Sequence, residues 1–209
     1  MKIILIRQAQ TDFPWEKEYD SVGFERALEA ERCCAAVPYG GRRSEAAAYR
    51  VYTGTAPAAA ETAEMLFELT EPPIRTPLLD DVPLRAFRDT DKRHPLRLWE
   101  NMGRLQWAAG SARQPESRAA TLRRVGEFVD LLEAEERDCV VVCRGLTMSA
   151  LKSTLRGRGF LLEGGELRPQ PLERIRATKK SLHCGGCHHN CLLTEAKCQI
   201  GQNKAKGGK

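Results

Sequence analysis

The chain has 209 residues, 42% of them hydrophobic, enough for one sizeable core with an appendage but too few for two full-sized domains. The net charge of +5 is not spread evenly: before Gly164 there are 24 basic and 25 acidic residues, after it 9 basic and 3 acidic. Basicity therefore belongs to the C-terminal end, which excludes a core that is basic throughout.

The first apolar run, Ile3-Ile4-Leu5-Ile6, stops at Arg7, far short of a signal-peptide core or a membrane span. It predicts a cytoplasmic protein with no membrane partner. Lys2 to Arg7 is β-branched and lacks polar alternation, as expected of a central strand buried on both faces of a parallel sheet, with Gln8 at its C-terminal end. Phe24 to Ala36 reads as a helix, and Cys33-Cys34 on it read as core residues. Arg50-Val51-Tyr52-Thr53 is a weaker strand, followed by a helix over Ala58 to Leu69 and another over Pro95 to Ala108. From Glu116 to Glu136, Leu122, Val125, Phe128/Val129 and Leu132 form one apolar stripe flanked by charge.

Cys139-Val140-Val141-Val142-Cys143 is a second buried strand, ended by Arg144-Gly145, and its two cysteines read as core. Leu161 to Thr178 reads as a closing hairpin or strand. Strands alternating with helices predict a three-layer α/β/α domain over residues 1–178 with a mostly parallel central sheet, binding its ligand beyond the carboxyl ends of the strands. Gln8 and Arg144 both fall there.

Three motifs then carry a resemblance. Ile6-Arg7-Gln8-Ala9-Gln10-Thr11 is similar to the Arg-His-Gly-x-Thr that ends the first strand of histidine phosphatases, the phosphoglycerate-mutase-like superfamily. Val51-Tyr52-Thr53-Gly54-Thr55 with Glu61-Thr62-Ala63-Glu64-Met65-Leu66 resembles the family's second strand and following helix, and Val142-Cys143-Arg144-Gly145 its later strand ending in His-Gly. The resemblance spans Met1 to about Leu151 and implies that fold.

It also implies an altered site. The family's nucleophilic histidine position holds Gln8, its second arginine position falls near Ala58, and its second histidine position holds Arg144. An amide nitrogen gives its lone pair to the carbonyl and cannot attack phosphorus as imidazole does. Arg144 keeps a cation but stays protonated, so it can only clamp an anion. The expectation is a pseudophosphatase without catalytic residues, its phosphate-binding set being Arg7, Gln8, Thr11, Arg144 and Gly145, and its partner a phosphorylated small molecule or protein. Arg144 could instead face solvent or pair with Asp80, Asp81 or Glu116. Those three carboxylates are the candidates for the family's general acid, although Glu116 also suits a helix start. A second reading is residual phosphomonoesterase activity with a non-standard nucleophile. Cys143 does not suit that role, since a cysteine-phosphatase loop needs Arg six positions on, where Ser149 stands.

Residues 179–209 form a basic Cys/His-rich tail. Cys184, Cys187, Cys191 and Cys198 are spaced to hold zinc or an iron-sulfur cluster, with free redox thiols or disulfides as the alternatives. No cofactor is expected in the phosphatase-like domain. A third reading makes the tail a metal- or redox-responsive binding module. After Phe160 no aromatic residue interrupts the basic run, which argues against a nucleic-acid partner.

Overall fold

The computed structural model describes residues 1–41, 43–45, 49–164 and 170–179. In chain order the elements are β1 (Lys2–Arg7), β2 (Glu18–Tyr19), α1 (Ser21–Arg32), β3 (Ser44–Glu45), β4 (Arg50–Thr53), α2 (Pro57–Leu66), β5 (Phe67–Glu68) and β6 (Ile74–Arg75). After a short 3-10 turn at Pro77–Leu79 come β7 (His94–Pro95), α3 (Leu96–Ala108), α4 (Arg118–Glu135), β8 (Cys139–Cys143), α5 (Gly145–Gly157), β9 (Phe160–Glu163) and β10 (Arg174–Lys179).

Six strands make one sheet in the order β6-β4-β8-β1-β10-β9. β6, β4, β8 and β1 run parallel, whereas β10 pairs antiparallel with β1 and β9. The unbroken apolar runs explain the two central strands: β1 and β8 are covered on both faces, so alternation would leave polar groups without water. Val125, Phe128, Val129 and Leu132 of α4, with Met148, Leu151 and Leu155 of α5, pack on Ile3, Leu5 and Val141 on one face. Ala63 and Leu66 of α2 pack on Ile6, Val51, Val140 and Val142 on the other. This is the expected α/β/α layering, and Cys139 and Cys143 are buried in it as anticipated.

A separate aromatic cluster joins α1 and α3. Phe24 stacks on Trp99 with ring centroids 5.5 Å apart, and the fully buried Trp99 indole donates to the Tyr19 carbonyl at 2.9 Å. A buried indole with its N–H satisfied fixes both position and orientation. Among the described residues no helix is long and apolar enough to cross a membrane.

Two expectations need correction. The first helix runs over Ser21–Arg32 rather than Phe24 to Ala36. It starts early because the Asp20 side chain caps the Gly23 N–H at 2.6 Å. It ends early because residues 35–37 turn away to pair with the loop after β1: Asp12 N–H donates to Ala35 at 3.2 Å and Val37 N–H to Gln10 at 2.7 Å. Cys33 and Cys34 consequently follow the helix, exposed and half-buried, rather than entering the core. The helix α5, which follows β8, completes the sheet's α4 face.

Candidate functional site

The parallel register sets Arg7 of β1 beside Cys143 of β8, and the Gln8 N–H donates to the Cys143 carbonyl at 3.0 Å. Gln8 and Arg144 thus leave adjacent strands at the same level. Gln8 is only 5% exposed. It stands between two adjoining clefts, each of which it lines together with Arg144. One, of about 330 Å³, is lined by Arg7, Gln8, Thr11, Glu31, Arg144 and Gly145, among others. The second, of about 260 Å³, reaches Thr55, Ala59, Asp80 and Asp81.

Arg144 does not face solvent. Its two terminal nitrogens donate to the two oxygens of Glu31, both at 2.5 Å, and its Nε lies 3.6 Å from Asp81 Oδ2. Of the partners foreseen for Arg144, only Asp81 is in contact, and the bidentate partner is one the sequence reading missed. Glu31 is 2% exposed and also accepts from Thr11 Oγ1 at 2.6 Å. Burial would raise its pKa, but the Arg144 and Thr11 hydrogen bonds outweigh that and hold the carboxyl below the ordinary range. Burial likewise opposes the Arg144 charge, and Glu31 and Asp81 more than restore it. A signal for Glu31 existed in the sequence. It shares with Ser21, Phe24 and Ala27 the buried face of α1, where a hydrophobe would ordinarily stand.

Burial and the neighbouring Arg144 charge lower the Arg7 pKa, yet a guanidinium stays charged at working pH. A Cβ on Gly145 would lie 4.0 Å from an Arg7 terminal nitrogen, so Arg7 reaches the first residue of α5.

Ala58 is 1% exposed in the first turn of α2 and packs in one cluster with Ala9 and Ala36. Thr62 Oγ1 ties the region together, donating to the Ala58 carbonyl at 2.6 Å and accepting from the Ala9 N–H at 3.1 Å. The position where the resemblance seeks a second arginine is therefore filled by packed methyl groups.

The candidate acids are held by the scaffold. Asp80 accepts from the Thr55 N–H at 2.6 Å and from its hydroxyl at 2.9 Å. Gly54 permits this approach, since a Cβ there would meet Asp80 Oδ1 and the Leu79 carbonyl oxygen at 3.1 Å. Asp81, with its side chain 31% exposed, has its pKa raised by burial despite Arg144. Glu116 pairs with Arg124 at 3.1 Å, and Arg124 also donates to the carbonyls of Leu78 at 2.8 Å and Asp80 at 3.0 Å. Glu116 thus serves the scaffold through Arg124, and not as the first-turn acid expected of a helix start, because it precedes the Ser117 N-cap of α4.

A substitute nucleophile is not at hand in Cys143, whose thiol is pushed far above its ordinary pKa by burial and by the Asp81 charge. A thiol without thiolate character does not attack phosphorus. Among the described residues no group of three or more His, Cys, Asp or Glu is arranged to hold a metal ion. Cys184, Cys187, Cys191 and Cys198 lie outside the described residues.

No family model matches this chain, and no curated protein does. Solved structures do. A mutant phosphoserine phosphatase from Entamoeba histolytica in complex with phosphoserine is 16% identical, with 75% of this chain and 80% of that one covered and a TM-score of 0.47. The alpha-ribazole phosphatase from Shigella flexneri is 19% identical over the same shares, also at 0.47. YhfR from Bacillus stearothermophilus is 18% identical, again over 75% and 80%, at 0.46. The α/β assignment itself stands on the strand order and on the helix layers covering both faces of the sheet.

Proposed function

We propose that the chain is a histidine-phosphatase-like pseudophosphatase, binding a phosphorylated small molecule or protein partner without phosphohistidine chemistry. The observation that carries this reading is one cleft at the ends of β1 and β8 lined by Arg7, Gln8, Thr11, Arg144 and Gly145. Guanidinium groups, amides and hydroxyls are phosphate donors, and none of the four side chains in this set is an activated nucleophile toward phosphorus at neutral pH. Removal of the nucleophile from an enzyme that works covalently lowers kcat by about six powers of ten, a loss the remaining electrostatics cannot offset.

Calorimetric titration with inorganic phosphate tests the binding. Weak but measurable heat from the native protein, abolished by Arg7→Ala in a protein that still melts cooperatively, is the expected result. No heat from either protein ends the reading.

The tail carries a companion proposal, resting on its composition alone: Cys184, Cys187, Cys191 and Cys198 hold zinc or an iron-sulfur cluster in a reducing, cytoplasmic setting. Elemental analysis and the visible spectrum of anaerobically purified protein test it, because zinc is colourless and iron-sulfur centres absorb. Metal-free, colourless protein ends it.

A further inference from the structure

We propose that Glu31 is a built-in competitor for the phosphoryl group: its carboxylate occupies the Arg144 fork, and a phosphorylated ligand must displace it to bind fully. The inference rests on the reading of this cleft as a phosphate site.

Carboxylate and phosphoryl oxygens present the same bidentate acceptor edge to a guanidinium. Arg144 spends that edge on Glu31, with both bonds at 2.5 Å, while its Nε turns to Asp81. Both Glu31 and Arg144 line the cleft that Arg7, Gln8 and Gly145 also line, so the bound carboxylate lies within the space a ligand would enter. Glu31 is not a surface residue that happens to swing in. It is buried on the inner face of α1, the helix is anchored by the Phe24–Trp99 stack, and Thr11 donates a further hydrogen bond to it. A carboxylate so buried is retained only because it is paired, and its charge cancels one of the two cations at the strand ends. Resting affinity therefore falls to the rest of the cleft. A phosphoryl dianion, carrying more charge than the carboxylate it replaces, is the ligand class for which exchange at Arg144 is favourable.

Three proteins decide the matter by calorimetry with inorganic phosphate: native, Glu31→Gln, and Glu31→Gln with Arg144→Ala. Freeing the fork is worth about one charge-assisted hydrogen bond, so Glu31→Gln is expected to bind phosphate about tenfold more tightly than native. The gain is expected to vanish in the double variant. If folded Glu31→Gln binds no tighter than native, or if the gain survives without Arg144, the competitor role is overturned and the cleft reading stands. If none of the three gives heat, both fall. Should Glu31→Gln fail to melt cooperatively, Glu31→Asp, whose carboxylate is one methylene shorter and draws back from the Arg144 fork, replaces it. A gain of about threefold is then expected from weakening the carboxylate's hold on Arg144, and no gain overturns the proposal.

Discussion

Ala58 and Ala9 pack together at the mouth of the site, joined through Thr62, whose hydroxyl bonds the carbonyl of one and the N–H of the other. This contact bears on any attempt to rebuild a phosphatase here. Ala58→Arg must insert a long cationic side chain into a site that is 1% exposed, and overpacking of that kind costs about 1–3 kcal/mol. We expect urea denaturation to show a lowered midpoint for Ala58→Arg alone, corresponding to a loss of unfolding free energy of that size. An unchanged midpoint would mean that the α2 start yields more readily than its packing implies.

Arg124 links α4 to the loop carrying Asp80 and Asp81, through Glu116 and the carbonyls of Leu78 and Asp80. Arg124→Ala leaves those acceptors and the Glu116 carboxylate to water that has little access. We expect a loss of about 2 kcal/mol by chemical denaturation, between the value for a neutral hydrogen bond and that for a fully buried charge pair. Less than half of that would show the loop to be held by its own turn.

The Glu31–Arg144 pair also sets a pH dependence. Because the folded-state pKa of Glu31 is depressed below the ordinary carboxylate value, the pair stabilises the fold above that value. The contribution is lost as pH falls through the lower folded-state pKa. The stability gap between native protein and Glu31→Gln is thus expected to shrink as pH is lowered from about 7 to about 3. Thermal melts across that range measure it, and a gap that widens toward acid would contradict the assignment.

Thiol reactivity should divide by position in the fold. Cys33 is exposed, whereas burial and the charges of Asp138 and Glu135 push Cys139 up to about 12, and burial places Cys143 higher still. Cys34, half-buried, is also raised, by desolvation and then by Asp12. Brief alkylation of folded protein followed by peptide mapping is expected to label Cys33 first, then Cys34, and to spare Cys139 and Cys143 until denaturant is added. Early labelling of Cys143 would reopen the question of a substitute nucleophile.

The layered fold was legible because β1 and β8 are uninterrupted apolar runs and α4 carries a clean stripe; such patterns are local and survive without knowledge of their partners. The cleft was partly legible, since strand ends are where parallel sheets gather ligands, and the resemblance pointed to Arg7, Gln8 and Arg144. Glu31 was not. Its partner lies 113 residues away, and the pairing depends on how α1 is turned by an aromatic cluster drawn from α1, α3 and the segments between them. Cys33 and Cys34 were misplaced for a related reason: pairing of residues 35–37 with the loop after β1 ends α1 sooner than helix propensity alone would.

The central claim is that no phosphoryl group is captured covalently at the end of β1. Incubation with a chromogenic aryl phosphate, followed by turnover measurement and intact-mass analysis of the quenched protein, tests it most directly. The account predicts no turnover above that of Arg7→Ala and no phosphoryl adduct. Robust, metal-independent hydrolysis abolished by Arg7→Ala, or a phosphorylated residue mapped to the peptide containing Gln8, would contradict it.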